Sequence, residues 1–165
     1  MTVMDATQCR EVLSKLLAEE GGLLTVLEQQ LLHEHQLLVD NDVEGLDAAG
    51  AKRQSCVGQL LRVEDERRAL CRALAQPADV SGVERLIAWC DPEASLLAAL
   101  RDCMDRACRC REQNVRNGVL VNARLQRVSN MLGMLNVPGT GSPVYGKSGA
   151  STTPPRAGRL LSASA

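Results

Sequence analysis

The sequence predicts an all-α protein, and three observations carry that prediction. Phe is absent and Trp89 and Tyr145 are the only aromatic side chains, although 45% of the 165 residues are hydrophobic. Strands depend on aromatic and β-branched residues to pack a pleated face, so a Leu/Ala/Glu/Arg/Gln-rich chain has to build its core from leucine in helices. Apolar residues recur at three- and four-residue steps, the period of one helix face, through most of the chain. The periodic stretches are long and their connections short, which reads as an antiparallel, coiled-coil-like bundle of three long helices, with one short helix capping an end.

The first helix spans Asp5 to about Val39. Leu17, Leu24, Leu31 and Leu38 fall seven apart, and Leu13, Leu16, Leu23, Leu27 and Leu37 widen the stripe. The Gly21-Gly22 pair is a candidate bend. Asp40-Asn41-Asp42 breaks the run with residues suited to capping the next helix. That second helix extends from about Val43 to Ala75 on Val43, Leu46, Val57, Leu60, Cys71 and Leu74. Gly50, Arg53, Glu64 and Arg67 interrupt its stripe and predict loose or partly wet packing. Gln76-Pro77 ends it, because proline disfavours helical geometry in the residue before it.

Val83, Leu86, Ile87 and Cys90 mark the short third helix. Asp91-Pro92-Glu93 supplies an N-cap, a proline at the first helical position and an acid in the first turn, so the fourth helix is expected to begin there. Its stripe of Leu100, Cys103, Ala107, Cys110, Asn114, Gly118, Val121, Leu125, Val128, Leu132 and Leu135 stops near Asn136. Composition then shifts. Residues 137–165 hold four of the six prolines, five of the thirteen glycines and no acid. The division expected is a helical bundle over 1–136 and a mobile Pro/Gly/Ser-rich tail over 137–165.

Charge and cysteine content narrow the class further. The net charge is −1, with +3 on the tail and −4 on the body, which offers no field for nucleic acid. No apolar stretch reaches the length of about 18 to 20 residues that a membrane span needs. The N-terminus shows no basic region followed by an apolar one and a cleavage site, and the seven cysteines are spread through helical sequence, so a cytoplasmic location with reduced thiols is expected. Cys103, Cys108 and Cys110 cluster, but positions 108 and 110 diverge by about 200° on a helix, so no metal site is assigned. His33-Glu34-His35 meets the same obstacle and reads as a solvated face. No phosphate loop, nucleophile elbow or HExxH signature is present, the carboxylates sit among arginines as on a salt-bridged surface, and neither catalysis nor a cofactor is expected.

Two anomalies remain. Asn114-Val115-Arg116-Asn117-Gly118 places poor helix formers in the middle of the fourth helix, with Asn114 and Gly118 on the stripe itself. Asn114 as a register-setting amide with Gly118 allowing close helix approach is one reading; a docking groove for a partner's helix is the other. Beyond the helix, a lone Tyr145 stands in Val144-Tyr145-Gly146-Lys147-Ser148-Gly149, where a rigid aromatic in a mobile segment suits an anchor.

In this order after two long helices, Asn114-x-x-Asn117-Gly118, then Val119, Leu120, Val121, Leu125, Val128, Leu132 and Leu135, then Pro143-x-Tyr145-Gly146-x-x-Gly149 resemble the FlgN family of flagellar export chaperones, the cytoplasmic helpers of flagellar type III secretion. Asp42-Val43-Glu44-Gly45-Leu46 also looks like the family's second-helix start. The seven cysteines and the Ser/Thr/Pro stretch after Gly149 are not typical of it. The resemblance implies a chaperone for hook-filament junction proteins. Asn114, Asn117, Gly118, Val121, Leu125, Val128, Leu132 and Leu135 would contact the C-terminal helical segment of the substrate. Tyr145 and Gly146 would address the cytoplasmic domain of the export gate. Its partners would then be those two, with no nucleic acid, no membrane insertion and a monomer or weak dimer. The competing reading is a coiled-coil scaffold with no export role, in which the heptads matter and Tyr145 is incidental.

Overall fold

A computed structural model describes residues 4–135. They form α1 (Ala6–Asp40), α2 (Val43–Ala73), α3 (Val80–Cys90) and α4 (Ser95–Leu135), with no strand among the described residues. The segment 137–165, expected to be mobile, lies outside them.

α1 begins where its sequence places a cap. The Asp5 carboxylate accepts from the Gln8 backbone N–H at 2.8 Å, and the Gln8 side chain accepts in return from the Asp5 N–H at 3.1 Å, a reciprocal capping box. Asn41, left-handed at φ 62°, closes the helix, and Asp42 opens α2 by accepting from the Gly45 N–H at 2.9 Å.

α1 is the central helix. Its seven-spaced leucines 17, 24, 31 and 38 are all buried, and it packs against α2, α3 and α4, whereas α2 and α4 make no close backbone contact among the described residues. Cross-helix bonds fix the directions. Cys103 and Cys110 donate their thiols to the carbonyls of Leu17 and Leu24 at 3.5 and 3.7 Å, and Asn117 Nδ2 donates to the Leu31 carbonyl at 2.8 Å. The constant offset of 86 positions makes α1 and α4 parallel, in a seven-residue register. Arg53–Glu34 and Arg67–Glu20 join α2 to α1 with the opposite sense, so consecutive long helices are antiparallel.

Two sequence expectations are corrected here. α4 starts at Ser95, not at Pro92: Asp91 closes α3 by donating its N–H to the Ile87 carbonyl at 2.8 Å, and Ala94 takes a left-handed φ of 59° that breaks the helical run. Asp91 still caps α4 from farther back. Its carboxylate accepts from the Leu96 N–H at 2.7 Å and the Ser95 hydroxyl at 3.0 Å, with Arg10 at 3.3 Å. The Leu96 bond, ahead of the Ser95 and Arg10 contributions, holds this carboxyl below its ordinary range.

In α2, the buried face is Ala49, Cys56, Val63 and Leu70 with Cys71, while Val43 is exposed. Of the expected stripe, Cys71 lies on this face and Leu60 and Leu74 are partly buried beside it, whereas Ala49 and Cys56 are too small to stand out and Val63 and Leu70 are not in the expected set. The predicted wetness is present as ion pairs: Arg53 meets Glu34 at 2.8 Å, Arg67 meets Glu20 at 2.6 Å and also contacts Glu64, and Arg62 contacts Glu19.

α3 closes the end of the bundle against all three long helices, through Val83, Leu86, Ile87 and Cys90. Gly82 sets how closely it approaches the preceding turn, because a Cβ there would lie 1.9 Å from the Pro77 carbonyl oxygen. Backbone cannot give way as a side chain does. Gly82→Ala is therefore expected to cost about 3 kcal/mol, the upper end of ordinary overpacking, read as a lowered urea midpoint. An unchanged midpoint would show that the turn moves freely.

Candidate functional site

Because α2 and α4 flank α1 without meeting, a cleft opens between them with α1 as its floor. Two adjoining pockets share Arg53 and Asn114. The first, about 270 Å³, is apolar: Leu24, Leu27 and Leu31 form its floor, with Val57 on one wall and Ala107 and Cys110 on the other. The second, about 400 Å³, adds Leu38, Leu46 and Gly50 and ends on Asn117, Gly118, Val121 and Asn122. The floor on α1 and the wall on α2 leave one trace in the sequence, the Gly50 and Arg53 interruption of the α2 stripe.

Asn114 and Gly118 lie on this cleft, not in a helix interface. A Cβ on Gly118 would meet open space, so the glycine does not serve close helix approach. The cross-bundle pairing expected of Asn114 belongs to buried Asn117. Besides its bond to the Leu31 carbonyl, Asn117 Oδ1 accepts from Gln113 Nε2 at 3.1 Å and lies 3.0 Å from His35 Nδ1, which places a proton on that ring nitrogen. Its side chain is thus committed to holding α4 on α1 at the rim of the cleft. The solvated face expected of His33-Glu34-His35 reduces to His33: Glu34 is buried against Arg53, and His35 is half-buried on Asn117. Asn117→Ala strands the Gln113 and His35 donors, and is expected to lower stability by about 2 to 3 kcal/mol in urea denaturation. A loss below about 0.5 kcal/mol would mean water replaces the amide.

By the same offset of 86 positions, α4 passes the end of α1 at about residue 126 and runs on with nothing among the described residues covering it, and its stripe is already exposed from Val121 at the end of the cleft. Val121, Leu125, Val128, Leu132 and Leu135 are exposed, from 41% at Val121 to 80% at Leu135, and Met131 and Met134 add to them. The spacing of four and three residues makes a narrow seam of the kind one helix offers another. So the cleft and the seam form a continuous path along α4, apolar at both ends and polar between them where Glu34, Arg53, Asn114, Asn117 and Asn122 line it. Tyr145 and Gly146 lie outside the described residues.

A model of the FlgN protein family matches residues 4–153. The chain belongs to the FlgN family. The match spans the four helices and continues through 137–153, taking in Tyr145 and Gly146. Neither the comparison with curated proteins nor that with solved structures gives a match. Membership carries a flagellar export chaperone role in general terms. No helix among the described residues is long and apolar enough to cross a membrane.

The buried thiols of this FlgN-family chain are packed into its helix interfaces. Six of the seven cysteines are buried and Cys108 is exposed. Burial, reinforced by the neighbouring Cys90, pushes the Cys9 thiol up to about 12, and burial pushes Cys103 up to about 11, from an ordinary 9.0. Both are uncharged at neutral pH and poor nucleophiles. A folded thiol with a raised value keeps its proton while the unfolded one loses it. This contribution to stability is complete below pH 9 and is lost as pH rises towards the folded values. Stability should fall by about 1.4 kcal/mol per pH unit for each such thiol, in urea denaturation from about pH 9 to 11, with Cys9→Ala reducing the slope. A flat profile would show that the thiols ionise without unfolding.

Proposed function

We propose that this FlgN-family chain is a cytoplasmic chaperone of flagellar type III export for the hook-filament junction proteins. The observation that supports this reading is the exposed, heptad-spaced seam of α4 continuing out of the cleft. A subunit's terminal helix is apolar on the face it will bury in the assembled flagellum, and it self-associates if left open in the cytoplasm. Val121, Leu125, Val128, Leu132 and Leu135 cover that face, Asn114 and Gly118 receive the helix where it enters the cleft, and Asn117 holds the rim in place. Tyr145 with Gly146 addresses the cytoplasmic domain of the export gate once the chaperone is loaded.

Release at the gate requires modest affinity. A partner that folds on binding provides it, since its ordering entropy reduces the net affinity for a given buried area. The role is binding alone: one substrate segment per monomeric or weakly dimeric chaperone, with neither catalysis nor cofactor, no nucleic acid and no membrane insertion. Calorimetric titration of the full chain with the C-terminal segment of each junction protein, against a filament-subunit segment, tests it. Saturable one-to-one binding of junction segments alone supports the assignment. No binding by folded protein overturns it and moves the reading to a coiled-coil scaffold.

A further inference from the structure

Glu112 is the last carboxylate side chain in the sequence. Beyond it come Arg116, Arg124, Arg127, Lys147, Arg156 and Arg159, which leaves a net −7 on residues 1–112 of a chain whose total is −1. The whole exposed seam lies in this acid-free stretch. In heptad terms, Arg124 borders the seam directly, on the same flank as Met131, while Asn122 and Ser129 form the other flank and Arg127 lies one position farther out. Arginines placed between helices of the bundle meet carboxylates: Arg53 with Glu34, Arg67 with Glu20, Arg109 with Glu28. Arg116, Arg124 and Arg127 form no ion pair among the described residues.

Resting on the reading of this seam as a helix-docking surface, we propose that its occupant is a single amphipathic helix whose apolar edge is bordered by aspartates or glutamates, and that Arg124 and Arg127 select it. Flanking charges set partner choice in helix pairs. A second copy of α4 brings only more cations to the same border, so the seam is poorly suited to itself. The negative body works in the same direction. Its net −7 disfavours an acidic helix on average while the basic end of α4 attracts one, and both effects favour the correct docking position.

Full-length protein is titrated calorimetrically with three designed peptides. Two share a leucine seam and carry either Glu or Lys at the flanking positions; the third keeps the Glu residues and replaces the seam with Ser. The Glu-flanked peptide should bind about tenfold tighter than the Lys-flanked one at about 50 mM salt, with the gap narrowing as salt rises, and the Ser-seam peptide should not bind. Arg124→Glu combined with Arg127→Glu, with helicity checked by circular dichroism, should invert the preference. Equal binding of both leucine peptides overturns the charge selection and leaves helix docking standing. Binding of neither overturns both. Dimerisation in sedimentation equilibrium that seam substitutions abolish assigns the surface to a second copy and overturns the proposal.

Discussion

Leu13→Ala is expected to remove about 4 kcal/mol of folding stability. Leu13 has no exposed surface and belongs to the core cluster with Leu17, Leu70, Ile87 and Leu100, which draws on all four helices. Truncation forfeits the transfer free energy of the removed atoms and leaves a cavity, and such changes cost about 2 to 5 kcal/mol according to how far the surroundings collapse. Collapse is limited here. α1 is tied to α4 by the Leu17, Leu24 and Leu31 carbonyl bonds and to α2 by Arg67–Glu20, so its backbone cannot settle inward on one side without lifting from the other. Leu32, on the same helix but 54% exposed, is the control, and Leu32→Ala should stay within about 0.5 kcal/mol. Urea denaturation of both variants tests the contrast. Similar losses would mean the exposed face of α1 is covered by something outside the described residues.

The same contrast explains how much was legible in the sequence. Where a seam is made of large side chains, the period reads directly: the four seven-spaced leucines of α1 are buried as the pattern requires, and Asp5, Asn41 and Asp42 cap as their chemistry predicts. Where it is made of small ones, the signal fades. Ala49 and Cys56 hold half of the α2 seam but carry little hydrophobic weight, so the neighbouring Val43 and Val57 stood out instead. Asn114 and Asn117 show a different limit. Both were visible as misfits in a helix, yet three residues rotate a side chain by about 300°, and only the position of α1 decides which amide is buried. In the sequence the α4 stripe is one continuous face. It divides in space because α1 ends at Asp40 while α4 continues to Leu135, a difference of helix length that periodicity does not record.

That division makes stability and binding separable. Leu125→Gln combined with Leu132→Gln should leave the urea midpoint of the chain within about 0.5 kcal/mol of its starting value, because both side chains are more than half exposed and glutamine is a good helix former. Under the proposed function, the same pair should lower affinity for a junction-protein segment by more than about 100-fold. Full burial of a leucine by a partner is worth about 1.5 to 3 kcal/mol, and two lost leucines at the centre of a narrow seam account for that factor. The core behaves in the opposite way: Asn117→Ala weakens the fold first and binding only through the rim of the cleft. Calorimetry and denaturation on the same samples separate the two cases. If the glutamine variant unfolds early, the seam is packed within the folded chain. If its affinity is unchanged, the partner helix lies in the cleft alone, and Leu24, Leu27 and Val57 become the residues to substitute next.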